Sequence, residues 1–220
     1  MANIAEAGGF IFDCDGTLLD TIGAWDRAER DLFSQAGPMT TEQEDEIHAA
    51  PIERACAILH DRYGVGASAR DVLDHLDGML LPYYRDEAAE LPGAAAFVRA
   101  IAARGIPCVV VSSSPRRYLE AGLARHGMLD SFRALVSTDE VGASKQERKI
   151  YDVAADVLGC PREAVWAVDD APYAVAAMHG FGLHTVGMAS GDADRDDRFA
   201  GTADLVVSSY ADLSRAMGIA

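Results

Sequence analysis

Residues 9–21 read GFIFDCDGTLLDT, and this stretch decides the fold because a short apolar run stops abruptly at two aspartates. The run Gly9–Phe12 predicts a buried strand, and Asp13 and Asp15 then lie at its carboxyl end, where open α/β sheets place their active sites. Gly16 allows a sharp turn there. Carboxylates and free amides that converge on one point favour a bound cation, whereas a turn held by Asx hydrogen bonds is the structural alternative.

Five further apolar runs of strand length follow along the chain. They span residues 107–111, 134–136, 165–168, 183–186 and 204–207. Amphipathic patterns over 94–104 and 145–158 predict helices between these strands, and each pattern ends before a glycine. Strands that alternate with helices of this length imply parallel pairing with right-handed crossovers. We therefore predict an α/β fold with a Rossmann-like three-layer core and a mostly parallel sheet.

Residues 22–86 break this alternation because they show only helical periodicity. One apolar stripe begins at Trp25, and a second ends at Tyr83. The segment is too long for a simple crossover and contains no strand pattern, so we predict an α-helical module inserted after the first strand. The predicted domains are an α/β core made of residues 1–21 and 87–220 and a helical domain made of residues 22–86.

The composition is that of an ordinary globular protein with a strong acidic balance. Acidic residues outnumber basic residues 35 to 19 in a chain of 220 residues, which gives a formal net charge of −16. This charge repels nucleic acid and anionic membranes, so we expect neither as a partner. It also repels phosphorylated substrates, so any phosphate site must be a local island of positive potential.

Nothing in the sequence predicts export or a membrane span. No apolar run approaches the roughly 20 residues that cross a bilayer, and residues 1–9 lack a basic region followed by an apolar run. The four cysteines, Cys14, Cys56, Cys108 and Cys160, show no metal-ligand spacing, and we interpret them as small buried hydrophobic residues in a reducing compartment. We expect a cytoplasmic protein that is a monomer or a weak homodimer.

Polar motifs follow four of the predicted strands in a recognisable order. They are Asp13-x-Asp15-Gly16-Thr17, then Ser112-Ser113-Ser114, then Ala143-Ser144-Lys145 at the start of a predicted helix, and finally Asp169-Asp170. This order resembles the four motifs of the haloacid dehalogenase superfamily, and the match spans the chain outside residues 22–86. The inserted segment lies where that superfamily carries a cap domain, and a helical cap is typical of its β-phosphoglucomutase and phosphoglycolate phosphatase branch.

The resemblance implies a covalent phosphoryl-transfer mechanism. Asp13 would attack phosphorus to form an aspartyl-phosphate, and Asp15 would act as general acid and then as general base. Lys145 would screen the carboxylates and hold a phosphate oxygen, and the Ser112 hydroxyl would bind the transferring phosphate. Further candidates for phosphate binding are Thr17 and Ser113.

The resemblance also implies a Mg²⁺ cofactor. Its ligands would be the Asp13 carboxylate, the Asp15 backbone carbonyl and Asp170, with Asp169 as a direct or water-mediated ligand. Mg²⁺ prefers octahedral oxygen coordination and retains water, so a site with few protein ligands suits it.

Several of these residues also have a purely structural explanation. The Thr17 hydroxyl could simply cap its turn. Lys145 could be a solvated residue in the first turn of a helix, where the helix dipole disfavours a cation. Asp169 or Asp170 could cap the helix that begins near Pro172.

The chain departs from the superfamily pattern at three positions. Gln146 follows Lys145 where proline is usual, and Ala171 follows Asp170 where serine is usual. Trp25 stands where β-phosphoglucomutases carry a histidine, which removes a polar group associated with proton handling and weakens the mutase interpretation.

We therefore expect a Mg²⁺-dependent phosphatase that acts on a small phosphate monoester, a sugar phosphate or a similar metabolite. A phosphosugar mutase is one alternative, and a non-catalytic binding or regulatory protein on the same fold is another, although the intact acidic set argues against the latter. The cap should select the substrate, with hinges near residues 21–23 and 86–93. Trp25, Arg54 and Tyr84 are the cap residues that could face the site, although Trp25 and Tyr84 could equally belong to the core.

Overall fold

The computed structural model describes residues 7–219, except for the side chains of residues 45, 48 and 49. The strands are β1 Gly9–Phe12, β2 Leu19–Asp20, β3 Ala89–Glu90, β4 Cys108–Ser112, β5 Ala134–Ser137, β6 Val165–Asp169, β7 His184–Met188 and β8 Leu205–Val207. Six of them form one parallel sheet in the order β5-β4-β1-β6-β7-β8, and β2 pairs with β3 in an antiparallel ribbon. The predicted α/β fold is confirmed, and every predicted strand recurs with ends shifted by no more than two residues.

Helices cover both faces of the sheet. They are α1 Ile22–Ala36, α2 Thr41–Ala49, α3 Ile52–Tyr63, α4 Ala69–Asp86, α5 Ala94–Ala102, α6 Arg116–Arg125, α7 Thr138–Val141, α8 Arg148–Leu158, α9 Pro172–Gly180, α10 Ala193–Asp196 and α11 Tyr210–Met217. Phe10 and Phe12 of β1 belong to one apolar core, whereas Ile11 between them belongs to the other. Phe97 of α5 packs edge-on against both phenylalanines, and Ile150 of α8 lies in the core of Ile11. Successive side chains of β1 therefore point to opposite faces of the sheet, and helices packed on both faces give three layers.

The register of the central strands brings the predicted motifs to one edge of the sheet. Phe12 at the end of β1 pairs with Val168 of β6, and the Asp13 amide donates to the Val168 carbonyl at 2.9 Å. Asp13 and Asp169 therefore leave the sheet side by side. Strand β4 is parallel to both and ends at Ser112 on the same edge.

Helices α1 to α4 occupy the segment 22–86, which contains no strand in the structure. The short strands β2 and β3 flank this segment, and Leu19 pairs with Glu90, so the chain leaves and re-enters the core at one place. The buried face of α4 differs by one position from the predicted stripe, because Tyr84 is fully buried and Tyr83 is only half-buried. The division into two domains stays a prediction.

Within residues 7–219 no helix is both long enough and apolar enough to cross a membrane. Residues 1–6, part of the stretch considered for a secretory signal, lie outside the described residues. All four cysteines are free thiols; three are buried and Cys160 is half-buried, which agrees with their interpretation as small hydrophobic residues.

Candidate active site

Lys145 lies at the centre of the site because its ammonium group contacts two carboxylates at once. Its Nζ donates to Asp13 Oδ1 at 2.5 Å and to Asp169 Oδ2 at 2.9 Å, and all three side chains are buried. Burial alone lowers the pKa of Lys145, but Asp13 and Asp169 outweigh burial and raise that pKa well above its usual value. The lysine is therefore a permanent positive charge in an otherwise acidic protein.

Lys145 does not lie in the first turn of a helix, so the prediction on that point is wrong. Helix α8 begins at Arg148, with Glu147 as its N-cap residue. The Ser144 amide donates to Glu147 Oε2 at 2.8 Å, and the Glu147 amide donates to the Ser144 carbonyl at 3.0 Å, which closes a turn around Lys145. The Tyr151 hydroxyl of α8 fixes this turn by donating to the Lys145 carbonyl at 2.8 Å. The lysine thus reaches the sheet edge from a turn that precedes the helix and its dipole.

Asp15 is held by four hydroxyl groups on its two carboxylate oxygens. Its Oδ1 accepts from Thr21 at 2.6 Å and also from Tyr84 of α4. Its Oδ2 accepts from Ser114 at 2.7 Å and from Ser112 at 3.3 Å. These partners are neutral, in contrast to the ammonium group beside the other aspartate of the first motif. Two carboxylates one residue apart therefore have different environments, which suits them to different chemical roles.

The Tyr84 hydroxyl links the helical segment to Asp15. It accepts from Trp25 Nε1 of α1 at 2.7 Å while it donates to the carboxylate. Burial, with a further contribution from the Asp15 charge, raises the pKa of Tyr84 well above its ordinary value, so the phenol stays protonated. Trp25 and Tyr84 therefore both face the site. Arg54, the third candidate of the helical segment, is exposed and is not among the residues that line the cavity described below.

Three carboxylates form a buried acidic cluster that could hold a metal ion. Oxygen atoms of Asp13, Asp169 and Asp170 all lie within 4.8 Å of one another. Burial raises the pKa of Asp13 well above its ordinary value, although Lys145 opposes the rise, and burial also raises the pKa of Asp170. A cation relieves this crowding of charge away from water, and carboxylate oxygens are the donors that Mg²⁺ prefers. The donor set therefore fits a divalent cation, and a ligand role for the Asp15 carbonyl stays a prediction.

Arg195 is a site residue that the sequence reasoning missed. It donates to the Asp170 carboxylate at 2.5 Å and to the Asp170 carbonyl at 2.6 Å. It belongs to the four-residue helix α10 after β7, where no motif marks it. The available signal was a lone arginine among four aspartates in residues 192–197.

The serine run at the end of β4 contributes more than was predicted. Ser112 and Ser114 are buried and both contact Asp15, whereas Ser113 is exposed at the cavity wall. Ser114 also fixes its own loop, because its amide donates to Ser112 Oγ at 3.0 Å and its carbonyl accepts from Ser137 at 3.0 Å. Its position two residues after Ser112 is the signal that could have found it.

The structure tests the capping roles that the sequence allowed for Thr17 and Asp169. The Thr17 side chain is fully buried, and its hydroxyl has no hydrogen-bond partner among the described residues, so it does not cap the turn. Thr17 is not among the cavity-lining residues either, so its role with phosphate stays a prediction. Asp169 Oδ1 accepts from the Ala171 amide at 2.9 Å, so this aspartate serves the loop before α9 as well as Lys145.

Gly16 allows the first motif to approach the acidic cluster closely. Its φ is +79°, a conformation that side chains disfavour, and a Cβ at this position would lie 2.5 Å from Asp170 Oδ2. The glycine predicted for a sharp turn is thus also needed for the contact between two motifs.

A cavity of about 350 Å³ lies between the sheet edge and the helical segment. We call the cavity-lining residues of the α/β core the floor; they include Asp13, Asp15, Ser112, Lys145, Asp170 and Arg195. We call the cavity-lining residues of segment 22–86 the roof; they include Leu32, Phe33, Ile47, Ile52, Leu59 and Leu76. The floor is charged and hydrogen-bonded, whereas the roof is mainly apolar.

A parallel α/β sheet with carboxylates and a lysine around a cavity at its strand ends defines an α/β enzyme with an acidic active site. Residues 8–182 match the family described as haloacid dehalogenase-like hydrolase. The chain belongs to that family, as the four motifs indicated.

Three similar proteins extend this finding. Hexitol phosphatase B of Escherichia coli K12 is 26% identical over 207 residues, which are 93% of each chain. Hexitol phosphatase A of the same organism is 29% identical and covers 91% of this chain and 90% of its own. The crystal structure of CbbY from Rhodobacter sphaeroides in complex with phosphate has a TM-score of 0.76 and 25% identity, and covers 94% of this chain and 96% of its own.

Proposed function

We propose that the protein is a Mg²⁺-dependent phosphatase that hydrolyses a small phosphate monoester through an aspartyl-phosphate on Asp13. The observation that carries this proposal is the pair of contacts from Lys145 to Asp13 and Asp169 on the floor of the cavity. A buried lysine at a strand end, together with a divalent cation on the neighbouring acidic cluster, would offer the local positive potential that an anionic substrate needs in a protein of net charge −16.

The first chemical step breaks the ester. An Asp13 oxygen attacks phosphorus, the bond between phosphorus and the ester oxygen breaks, and the leaving oxygen takes a proton from Asp15. An acyl-phosphate forms on Asp13 and the free alcohol leaves. Lys145 opposes the rise that burial causes in the pKa of the attacking carboxylate, and it attracts the phosphate oxygens.

The second step restores the enzyme. Asp15, now ionised, accepts a proton from water, and the water oxygen attacks phosphorus. The bond between phosphorus and Asp13 breaks, which releases inorganic phosphate and leaves the Asp13 carboxylate free. The hydroxyl donors around Asp15 hold its carboxylate in place for both proton transfers.

Asp13, Asp169 and Asp170 would hold the Mg²⁺ ion that enzymes of this family generally use. When bound, the ion would reduce the repulsion between the carboxylates and the phosphate and would stabilise charge on the phosphoryl oxygens. The Ser112 hydroxyl and the exposed Ser113 are the floor groups that would contact the remaining phosphate oxygens.

The test is phosphate release from a panel of monoesters in the presence of Mg²⁺. Asp13→Asn should lower kcat by about 10⁴-fold or more, since it removes the covalent nucleophile, and Asp15→Asn by about 10²- to 10⁴-fold. Asp20→Asn is the matched control, because Asp20 follows in the same segment with an exposed side chain outside the cavity. Equal turnover by wild type and Asp13→Asn would rule out the covalent mechanism.

The same panel separates the two alternative functions. A phosphosugar mutase would need a bisphosphate primer and would release little inorganic phosphate. A binding protein would release none with any ester, although it would still bind phosphate and Mg²⁺.

A further inference from the structure

The roof of the cavity contains an aliphatic recess that could contact the substrate. Leu32, Ile47, Leu59 and Leu76 line the cavity although each is no more than 5% exposed to solvent. They come from four different helices of segment 22–86. The cavity therefore continues from the charged floor into a recess among aliphatic side chains, which is the kind of space that stays dry.

The described polar side chains of the roof offer a polyol few hydrogen-bond partners. Trp25 Nε1 already donates to Tyr84, and the Cys56 thiol stays neutral because burial raises its pKa to about 11. Among the described side chains, the charged residues of the roof are Asp26 and Glu29, both on α1, and their carboxylates can accept hydrogen bonds but cannot donate them. A hydroxyl group that enters an aliphatic recess without a hydrogen-bond partner loses free energy relative to water.

The roof also disfavours a second phosphate group. Asp26 and Glu29 both lie on α1 at the cavity, and a second anion near them would be repelled. Among the described side chains that line the cavity, the positive ones are Lys145 and Arg195, and both belong to the floor. A single phosphate on the floor with an uncharged remainder under the roof is the arrangement that these charges favour.

We propose that the preferred substrate is a monophosphate ester of an apolar alcohol, with the alkyl or aryl group bound under the roof. This inference rests on the proposed phosphatase function and deepens it. The cavity of about 350 Å³ equals the volume of about twelve water molecules in the liquid, which is enough for a phosphate group and a chain of about six carbons. The recess thus distinguishes this chain from a phosphatase for polyols.

The kinetic test compares primary alcohol esters whose leaving groups have similar acidity. The series is ethyl, butyl and hexyl phosphate, with glycerol 1-phosphate and a hexitol 6-phosphate as polyol counterparts. Each methylene that leaves water should raise kcat/KM about fourfold, so hexyl phosphate, with four more methylenes, should exceed ethyl phosphate by about 250-fold. The hexitol ester should fall at least about tenfold below hexyl phosphate, because the hydroxyl groups that enter the aliphatic recess would be buried without partners.

A binding measurement tests the recess apart from catalysis. Calorimetry in Mg²⁺ buffer should show that hexylphosphonate binds at least about tenfold more tightly than ethylphosphonate, with a more negative heat-capacity change. The variant Ala55→Leu fills the recess from α3 and should lower the hexyl-to-ethyl ratio of kcat/KM about tenfold. Ala57→Leu on the same helix, which does not line the cavity, is the matched control and should leave the ratio unchanged.

The outcomes separate the two proposals. If the polyol esters match or exceed hexyl phosphate, or if chain length has no effect, the recess simply closes or binds polar groups and the inference fails while the phosphatase function stands. If no ester is hydrolysed but hexylphosphonate still binds more tightly than ethylphosphonate, the phosphatase function fails and the apolar site stands. A ratio altered equally by Ala55→Leu and Ala57→Leu would also overturn the inference.

Discussion

The floor and the roof of the cavity differ in the interactions that hold their side chains in place. On the floor, charged side chains determine each other's positions, as when Lys145 contacts Asp13 and Asp169. On the roof, aliphatic side chains from four helices surround space and make few directional contacts. A change on the floor should therefore affect every substrate through kcat, whereas a change on the roof should affect the choice among substrates.

The largest effect that would test this division is expected for Lys145→Met. We expect kcat to fall by about 10³-fold or more for every ester, because the floor loses its buried cation, and the free energy of unfolding to fall by about 3–5 kcal/mol, because two buried carboxylates lose their partner. Chemical denaturation and steady-state kinetics measure the two effects. Lys149→Met is the control, since Lys149 is exposed and lies outside the cavity, where it donates to the Val141 carbonyl.

Selective loss would contradict the division. If Lys145→Met abolished the hydrolysis of hexyl phosphate but spared ethyl phosphate, the floor would be selecting the alcohol, and the two regions would not differ in the proposed way.

The floor was also the region that could be predicted from the sequence. Asp13, Ser112 and Asp169 follow apolar runs, and parallel strands bring their carboxyl ends to one edge whatever the loops do. The six strands and the helical character of residues 22–86 could be read from periodicity for the same reason, since apolar spacing reports directly on burial.

The roof could not be predicted, because periodicity shows which residues are apolar and not which space they face. Tyr84 illustrates the limit: it was named as a residue that could face the site, but the apolar stripe of its helix ended at Tyr83, and periodicity could not decide between site and core for Tyr84. Arg195 was missed because its contact with Asp170 depends on how a loop folds back over the sheet edge. Lys145 was assigned to a helix because the apolar pattern of α8 does not show that a hydrogen-bonded turn precedes it.

Tyr84 tests the difference between floor and roof directly, because it belongs to the helical segment and yet contacts Asp15 on the floor. Tyr84→Phe removes one of four donors to Asp15 and leaves Trp25 Nε1 without its partner. We expect kcat to fall about tenfold for ethyl and hexyl phosphate alike, the effect of losing one hydrogen bond to a charged group. Tyr83→Phe is the control from the same helix, since the Tyr83 hydroxyl donates to the Asp20 carbonyl and not to a described residue of the floor. A changed preference for chain length would mean that Tyr84 acts as a roof residue.

The smallest effect is expected at Arg195, whose contact with Asp170 should oppose the binding of a metal ion on the floor. The guanidinium group of Arg195 holds the Asp170 carboxylate, which is also one of the three candidate metal ligands. Its positive charge also lies near the position that a divalent cation would take, so ion and arginine should compete for the same oxygen atoms.

Arg195→Gln should therefore tighten Mg²⁺ binding about fivefold, the equivalent of about 1 kcal/mol for one charge-assisted contact. Titration calorimetry with Mg²⁺ measures the change directly, and the thermal midpoint should rise more on Mg²⁺ addition in the variant than in the wild type. Arg198→Gln, three residues further on and exposed, should bind Mg²⁺ as the wild type does. Weaker binding by Arg195→Gln would mean that the arginine orients Asp170 for the ion. In that case Arg195 and the metal ion would both hold Asp170 in one position. The floor would then differ even more from the roof, whose side chains make few directional contacts.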